Sequence, residues 1–176
     1  MRALVLRTDF IPFIIIVLNM MKIEKNKKIN AVTSAVILCA GTGDRWNNYL
    51  GIPKQLIEIG GETLLDRAIR LLKRDGVSDI HVVTHNQLLK QEGIKTFAPE
   101  KYEWTVESLL STRTLWKEKT LVLLGDVFYT NKAMHRIVTS PNSIGVFGRS
   151  GASKCTFKTT GEIFALSFIP LLSALL

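Results

Sequence analysis

Val36-Ile-Leu-Cys-Ala-Gly-Thr-Gly-Asp-Arg45-Trp46 joins an apolar run to two glycines, with an arginine two residues beyond the second. An unbroken apolar run at 35–40 that ends in glycine predicts a strand buried on both faces. Gly41 and Gly43 let the backbone beyond it approach a ligand closely and turn N–H groups toward phosphate oxygens.

Working outward, strands and helices alternate. Residues 56–59 (Leu-Ile-Glu-Ile) read as a short alternating strand, and Gly60-Gly61 as a turn. Apolar residues at 64, 65, 68, 69, 71 and 72 give helical periodicity over 63–74, which Gly76 closes. Residues 79–84 predict a second strand, 85–92 a short helix or loop, and 94–97 a further strand. Thr105 is expected to cap a helix over 108–116. Residues 121–124 predict another buried strand, stopped by Gly125-Asp126, and 131–138 a helix. Strands are expected at 143–147, 153–160 and 162–168. This order predicts a three-layer α/β/α domain with a mostly parallel sheet. Right-handed crossovers place helices on both faces. Ligands bind beyond the carboxyl ends of the strands in such sheets, and Gly41 and Asp126 both fall at such ends.

The bulk composition agrees. Apolar residues make up 47% of the 176 and charged residues 22%, which suits a globular chain. The net charge is +8, unevenly spread. Residues 1–30 hold six basic side chains against Asp9 and Glu24, and the remaining residues carry seventeen basic and thirteen acidic groups. A mildly basic body suits a polyanion such as a nucleotide, but no basic stripe interleaved with aromatics argues for nucleic-acid binding. Cys39 and Cys155 form no disulfide framework, so a reducing, cytoplasmic setting is expected. Cys39 reads as a small core residue.

The ends are apolar. The run at 10–21 is too short for a spanning helix, which needs about 20 residues, and no cleavage-site pattern follows it. Residues 1–30 are expected to be an extension outside the core, with Met20 or Met21 as an alternative start, and membrane anchoring is disfavoured. Residues 31–176 are expected to form the domain.

Two glycine motifs are excluded. A dinucleotide fingerprint needs a third glycine where Trp46 stands, and a Walker loop needs Gly-Lys-Ser/Thr where Trp46-Asn47-Asn48 stands. What remains is Gly41-x-Gly43-x-Arg45 followed by Pro53-Lys54-Gln55-Leu56. Arg45 offers a planar fork for phosphate oxygens and Lys54 a mobile point charge. Asp126 is suited to a divalent ion that bridges phosphates.

Leu38-x-Ala-Gly-x-Gly-x-Arg45, Pro53-Lys54, Ile59-Gly-Gly-x-x-Leu-Leu65 and Leu123-Leu-Gly-Asp126 together resemble the signature of nucleotidyltransferases with a GT-A-like α/β fold. That group includes sugar-phosphate nucleotidylyltransferases, MobA-like proteins and the cytidylyltransferase of the methylerythritol pathway. The resemblance covers about 34–130 and implies transfer of a nucleoside monophosphate from an NTP to a phosphorylated acceptor, a sugar or alditol phosphate, with release of pyrophosphate. It implies that Leu38, Ala40, Gly41, Thr42, Gly43, Arg45 and Lys54 line the nucleotide, with Arg45 and Lys54 acting on the reacting phosphates. Ser108 would border the base, and Asp126 would bind Mg2+. No nucleic acid or membrane partner is implied, and homo-oligomerisation is left open.

The chain departs from the pattern in one respect. Glu162 is the sole acidic residue after Asp126, where the family usually supplies a second acidic metal ligand. Either Glu162 substitutes or part of the site is missing. A truncated or degenerate, non-catalytic nucleotide-binding module, completed by a partner chain, is therefore one alternative. A GT-A glycosyltransferase using a nucleotide-sugar is another, weakened because Gly125-Asp-Val127 is not Asp-x-Asp. His81, His85, Trp46, Trp104 and Trp116 have structural readings beside any functional one.

Overall fold

A computed structural model describes residues 31–41, 49–102, 105–149 and 163–170. The predicted strand at 153–160 and the extension at 1–30 lie outside them. Among the described residues, no helix is long and apolar enough to cross a membrane.

Strand β1 (Ser34–Leu38) is buried throughout and lies at the centre of a six-stranded sheet. It pairs in parallel with β2 (Asp79–Val83) on one side and with β4 (Thr120–Leu124) on the other. The short β3 (Lys95–Phe97) extends the parallel block beyond β2. Beyond β4 the sheet turns antiparallel through β6 (Ala165–Phe168), with β5 (Ile144–Phe147) at the edge, giving the order β3-β2-β1-β4-β6-β5. The expectation of a mostly parallel sheet therefore holds.

Side-chain alternation builds the layers. Ala35, Ile37 and Cys39 point into one core, with Ile80 and Val82 of β2 and Leu121 and Leu123 of β4. Helices α1 (Leu64–Arg74) and α3 (Asn131–Val138) close this core through Leu65, Ala68, Leu72, Met134 and Ile137. Val36, Leu38 and Ala40 point to the opposite face, where Leu109 of α2 (Thr105–Ser111) and Trp116 cover them. The three layers follow directly from this division.

Local chemistry sets the helix ends. Thr63 caps α1 by accepting from the Asp66 backbone N–H at 3.0 Å, and Thr130 caps α3 by accepting from that of Ala133 at 3.1 Å. The positive φ of Gly76 lets the chain leave α1 sharply.

Two expectations change. Residues 56–59 form no strand. Lys54–Leu56 is a 3-10 turn, and 57–64 fold into a small hairpin around a single Glu58–Thr63 bridge. Gly60 and Gly61 supply the positive φ at its tip. The alternation of Leu56-Ile-Glu-Ile59 suggested a strand, but Leu56 packs into the core from the turn instead. The second change concerns Thr105, which is the first residue of α2 rather than its cap, and α2 ends at Ser111. There the Thr112 hydroxyl donates back to the Leu109 carbonyl at 2.6 Å and accepts from the Trp116 indole at 3.0 Å, and the chain continues as a 3-10 turn.

Charges gather at the amino edge of the sheet. The Asp79 carboxylate receives Lys117 at 2.7 Å, Lys95 at 2.9 Å and His81 at 3.2 Å. Burial works to raise the Asp79 carboxyl, yet the hydrogen bonds from Lys117 and Lys95 and the nearby positive charge hold it down at about 2. Lys119 is buried beside this edge and donates from Nζ to the Ser140 carbonyl.

At the carboxyl edge β1 and β4 converge closely. The Gly125 N–H donates to the Leu38 carbonyl at 3.0 Å. A Cβ at Gly125 would stand 2.3 Å from Cys39 Sγ, 3.2 Å from the Leu38 oxygen and 3.3 Å from Gln55 Cγ.

Two outcomes are expected. A carboxyl held low in the folded state stabilises the fold above its unfolded pKa of about 4, and this contribution fades as pH falls through about 2. Melting curves from pH 7 to 2 should show that acid loss in the wild type, and Asp79→Asn should lower the Tm at neutral pH and flatten the acid limb. Gly125→Ala should cost about 1–3 kcal/mol of stability by urea unfolding, as overpacked sites do, with most of it recovered in the double variant carrying Cys39→Ala.

Candidate active site

The carboxyl edge of the parallel strands carries the candidate site. Residues 39–41 leave β1 there; Leu38 and Ala40 are nearly buried, whereas Gly41 is exposed. Thr42, Gly43, Arg45, Trp46 and Glu162 lie outside the described residues. Ser108 sits in α2 on the face that covers β1 and is only 4% exposed, so its side chain is covered rather than open to a ligand.

The structure brings Lys54 and Asp126 together. Lys54 Nζ lies 3.6 Å from Asp126 Oδ2, with side chains 27% and 39% exposed. The two reach this point from different elements. Lys54 opens the 3-10 turn after Pro53, whose carbonyl accepts from the Leu56 N–H at 2.9 Å. Asp126 follows β4 immediately after the Gly125 contact with Leu38. The Asp126 charge extends into the interior: burial first, and Asp126 second, push the Cys39 thiol up to about 12. Cys39 is therefore a neutral packing group, as its place in the apolar run suggested.

Several side chains that hold this edge were not singled out by sequence. Arg67 of α1 donates from Nε to the Tyr129 carbonyl at 2.7 Å, and its guanidinium lies 4.4 Å from the centre of the Phe128 ring. Glu62, next to the tip of the hairpin that follows Lys54, pairs with Arg67 at 3.4 Å and with Arg70 at 2.6 Å. The buried Tyr129 hydroxyl reaches both the Phe164 carbonyl (2.6 Å) and the Leu124 carbonyl (3.2 Å). The segment that carries Asp126 is thus held from α1 on one side and from the start of β6 on the other. An arginine on an amphipathic helix reads as solvated surface in sequence, and only the fold reveals that it faces the 125–131 loop.

His85 and His81 take structural partners. His85 Nε2 lies 2.6 Å from the Pro99 carbonyl and its ring lies tilted against that of Tyr102 with centroids 4.4 Å apart, while His81 joins the Asp79 cluster at the opposite edge.

The donor chemistry fits a hydrated divalent cation. Among the described residues no three His, Cys, Asp or Glu side chains cluster as a metal cage. Asp126 presents one partly exposed hard oxygen ligand, with a cationic ammonium already standing against it. Mg2+ commonly takes one or two carboxylates and fills the rest of its shell with water and substrate phosphates.

No curated protein matches the sequence. The fold is similar to that of Rv0371c from Mycobacterium tuberculosis H37Rv, with a TM-score of 0.52 at 20% identity over 67% of this chain. The match spans 65% of the length of that protein. It is also similar to a UDP-glucose pyrophosphorylase from Acinetobacter baumanii, with a TM-score of 0.57 at 14% identity, covering 79% of this chain and 74% of that one. At these identities the likeness speaks for the fold. The family profile described as MobA-like NTP transferase domain matches residues 35–152, a span that includes the β1 turn, Lys54 and Asp126, and on that match the chain belongs to the MobA-like NTP transferase family.

Proposed function

We propose that the chain transfers a nucleoside monophosphate from an NTP to a phosphorylated small-molecule acceptor, a sugar or alditol phosphate, and releases pyrophosphate. The observation that carries this reading is the meeting of Lys54 and Asp126, 3.6 Å apart, at the carboxyl edge of the parallel strands. A cation for phosphate oxygens and an anion for a divalent ion stand together where parallel sheets bind ligands. Membership of the family supports nucleotidyl transfer in general, and the sugar or alditol phosphate acceptor is our extension of it.

In the proposed reaction an acceptor phosphate oxygen attacks the α-phosphorus in line, and the bond from that phosphorus to the pyrophosphate oxygen breaks. Negative charge passes to the leaving pyrophosphate without transfer of a proton. Gly41, with Thr42 and Gly43 by sequence, gives the phosphates backbone N–H donors. Lys54 and, by sequence, Arg45 stabilise the charge that develops on the phosphates. Leu38 and Ala40 form the wall beneath the nucleotide. Asp126 would hold Mg2+, which supplies charge neutralisation across the phosphates when bound. Arg67 and Tyr129 keep the Asp126 segment in place.

Release of pyrophosphate from the four NTPs, each offered with a pool of sugar and alditol phosphates, tests the reading. The wild type should release pyrophosphate only when acceptor is present. Lys54→Ala and Asp126→Ala should each lower the rate by about 100-fold or more. Their Tm should stay near that of the wild type, since a partly exposed ion pair contributes about 0–1 kcal/mol. Binding of nucleotide without pyrophosphate release would instead indicate a non-catalytic module.

A further inference from the structure

Lys54 and Asp126 have complementary assignments toward a ligand, yet in this structure they are satisfied by each other. We infer that the Lys54 ammonium occupies the cation position on Asp126 in the nucleotide-free chain, so that a divalent ion binds well only when a polyphosphate arrives to draw Lys54 away. The inference rests on the proposed role of Asp126 and adds a rule about the order in which ligands enter.

Three observations carry it. The ammonium lies 3.6 Å from Oδ2, close enough to repel a dication approaching that oxygen. The contact is long for an ion pair and both partners are partly exposed, so it is easily surrendered. The two backbones are independently fixed. The Lys54 turn is closed by the Leu56 N–H to Pro53 and the Ile57 N–H to Lys54, and Asp126 is fixed by the Gly125 N–H to Leu38. Exchange of partners therefore needs only rotation of the flexible lysine stem. A triphosphate carries several negative charges against the single charge of Asp126, so it outcompetes the carboxylate for the ammonium. The carboxylate is then freed for the metal that enters with the phosphates. Bare divalent ion is thereby kept off Asp126, and metal and polyphosphate bind cooperatively.

The test is Mn2+ titration of the whole chain followed by electron paramagnetic resonance, without and with inorganic tripolyphosphate, which makes the readout independent of base, acceptor and turnover. Without polyphosphate, Lys54→Met should bind Mn2+ about 30-fold more tightly than wild type, the scale of relieving one ammonium–dication repulsion at about 4 Å in a water-rich site. Lys54→Arg, which keeps the charge, should stay as weak as wild type. The gain should vanish in the double variant with Asp126→Asn. With tripolyphosphate the order should invert, with wild type holding the Mn2+–tripolyphosphate complex more tightly than Lys54→Met. Should Lys54→Met fold poorly by circular dichroism, Lys54→Gln gives the same readout. If Lys54→Met binds Mn2+ no more tightly than wild type while Asp126→Asn still weakens binding, the inference falls and the metal role of Asp126 stands. If Asp126→Asn changes nothing in either background, both fall.

Discussion

The approach of β4 to β1 at their carboxyl ends governs the rest of the site. The Gly125 N–H reaches the Leu38 carbonyl at 3.0 Å, and the room for a side chain at Gly125 is already taken by the Cys39 thiol. Protein interiors are packed nearly as densely as organic crystals, so a contact this close leaves little freedom for the chain beyond it. Asp126, the next residue, inherits its place from the sheet rather than from its own loop. Residues 39–41 leave β1 from the other side of the same contact. The feature that shapes this edge is thus a backbone-to-backbone fit between two central strands.

Around that fit the molecule separates its charges. At the amino edge, Lys95, Lys117 and His81 converge on Asp79 over short distances. At the carboxyl edge, Lys54 and Asp126 stand 3.6 Å apart and partly open to water. Tight pairing suits a junction that holds strands together, and the looser pair is the one on which the proposed exchange of partners rests. Helix α1 links the two halves of the site. Its amino end receives the hairpin that follows Lys54, and its Arg67 grips the Tyr129 carbonyl beyond Asp126.

Much of this was legible from the residues. The apolar run of β1, the periodicity at 64–72 and the Gly-Asp stop after β4 gave the layers and the edge, because burial on both sheet faces leaves a plain hydrophobic signature. Lys54 and Asp126 were singled out from their spacing to the glycine turn and from the strand end, and the fold brings them to 3.6 Å. The 56–59 segment misled because four alternating residues carry too little information to tell a strand from a turn that buries Leu56. The end of α2 was hidden for a related reason. Thr112, buried with its hydroxyl turned back on the helix, halts a pattern that the apolar residues alone would continue. The grips of Arg67 and Tyr129 on residues 62 and 35 positions away have no local trace.

Tyr129 also ties the site to the order in which the chain is made. Its phenol bridges the Leu124 carbonyl, at the end of a strand complete by residue 124, and the Phe164 carbonyl, which leaves the ribosome some forty residues later. The parallel block β1–β4 has all its own residues well before that moment. The loop bearing Asp126 gains its second anchor only once the antiparallel return has been synthesised. A nascent chain thus owns a core before it owns a finished carboxyl rim, and that rim matures only when β6 arrives.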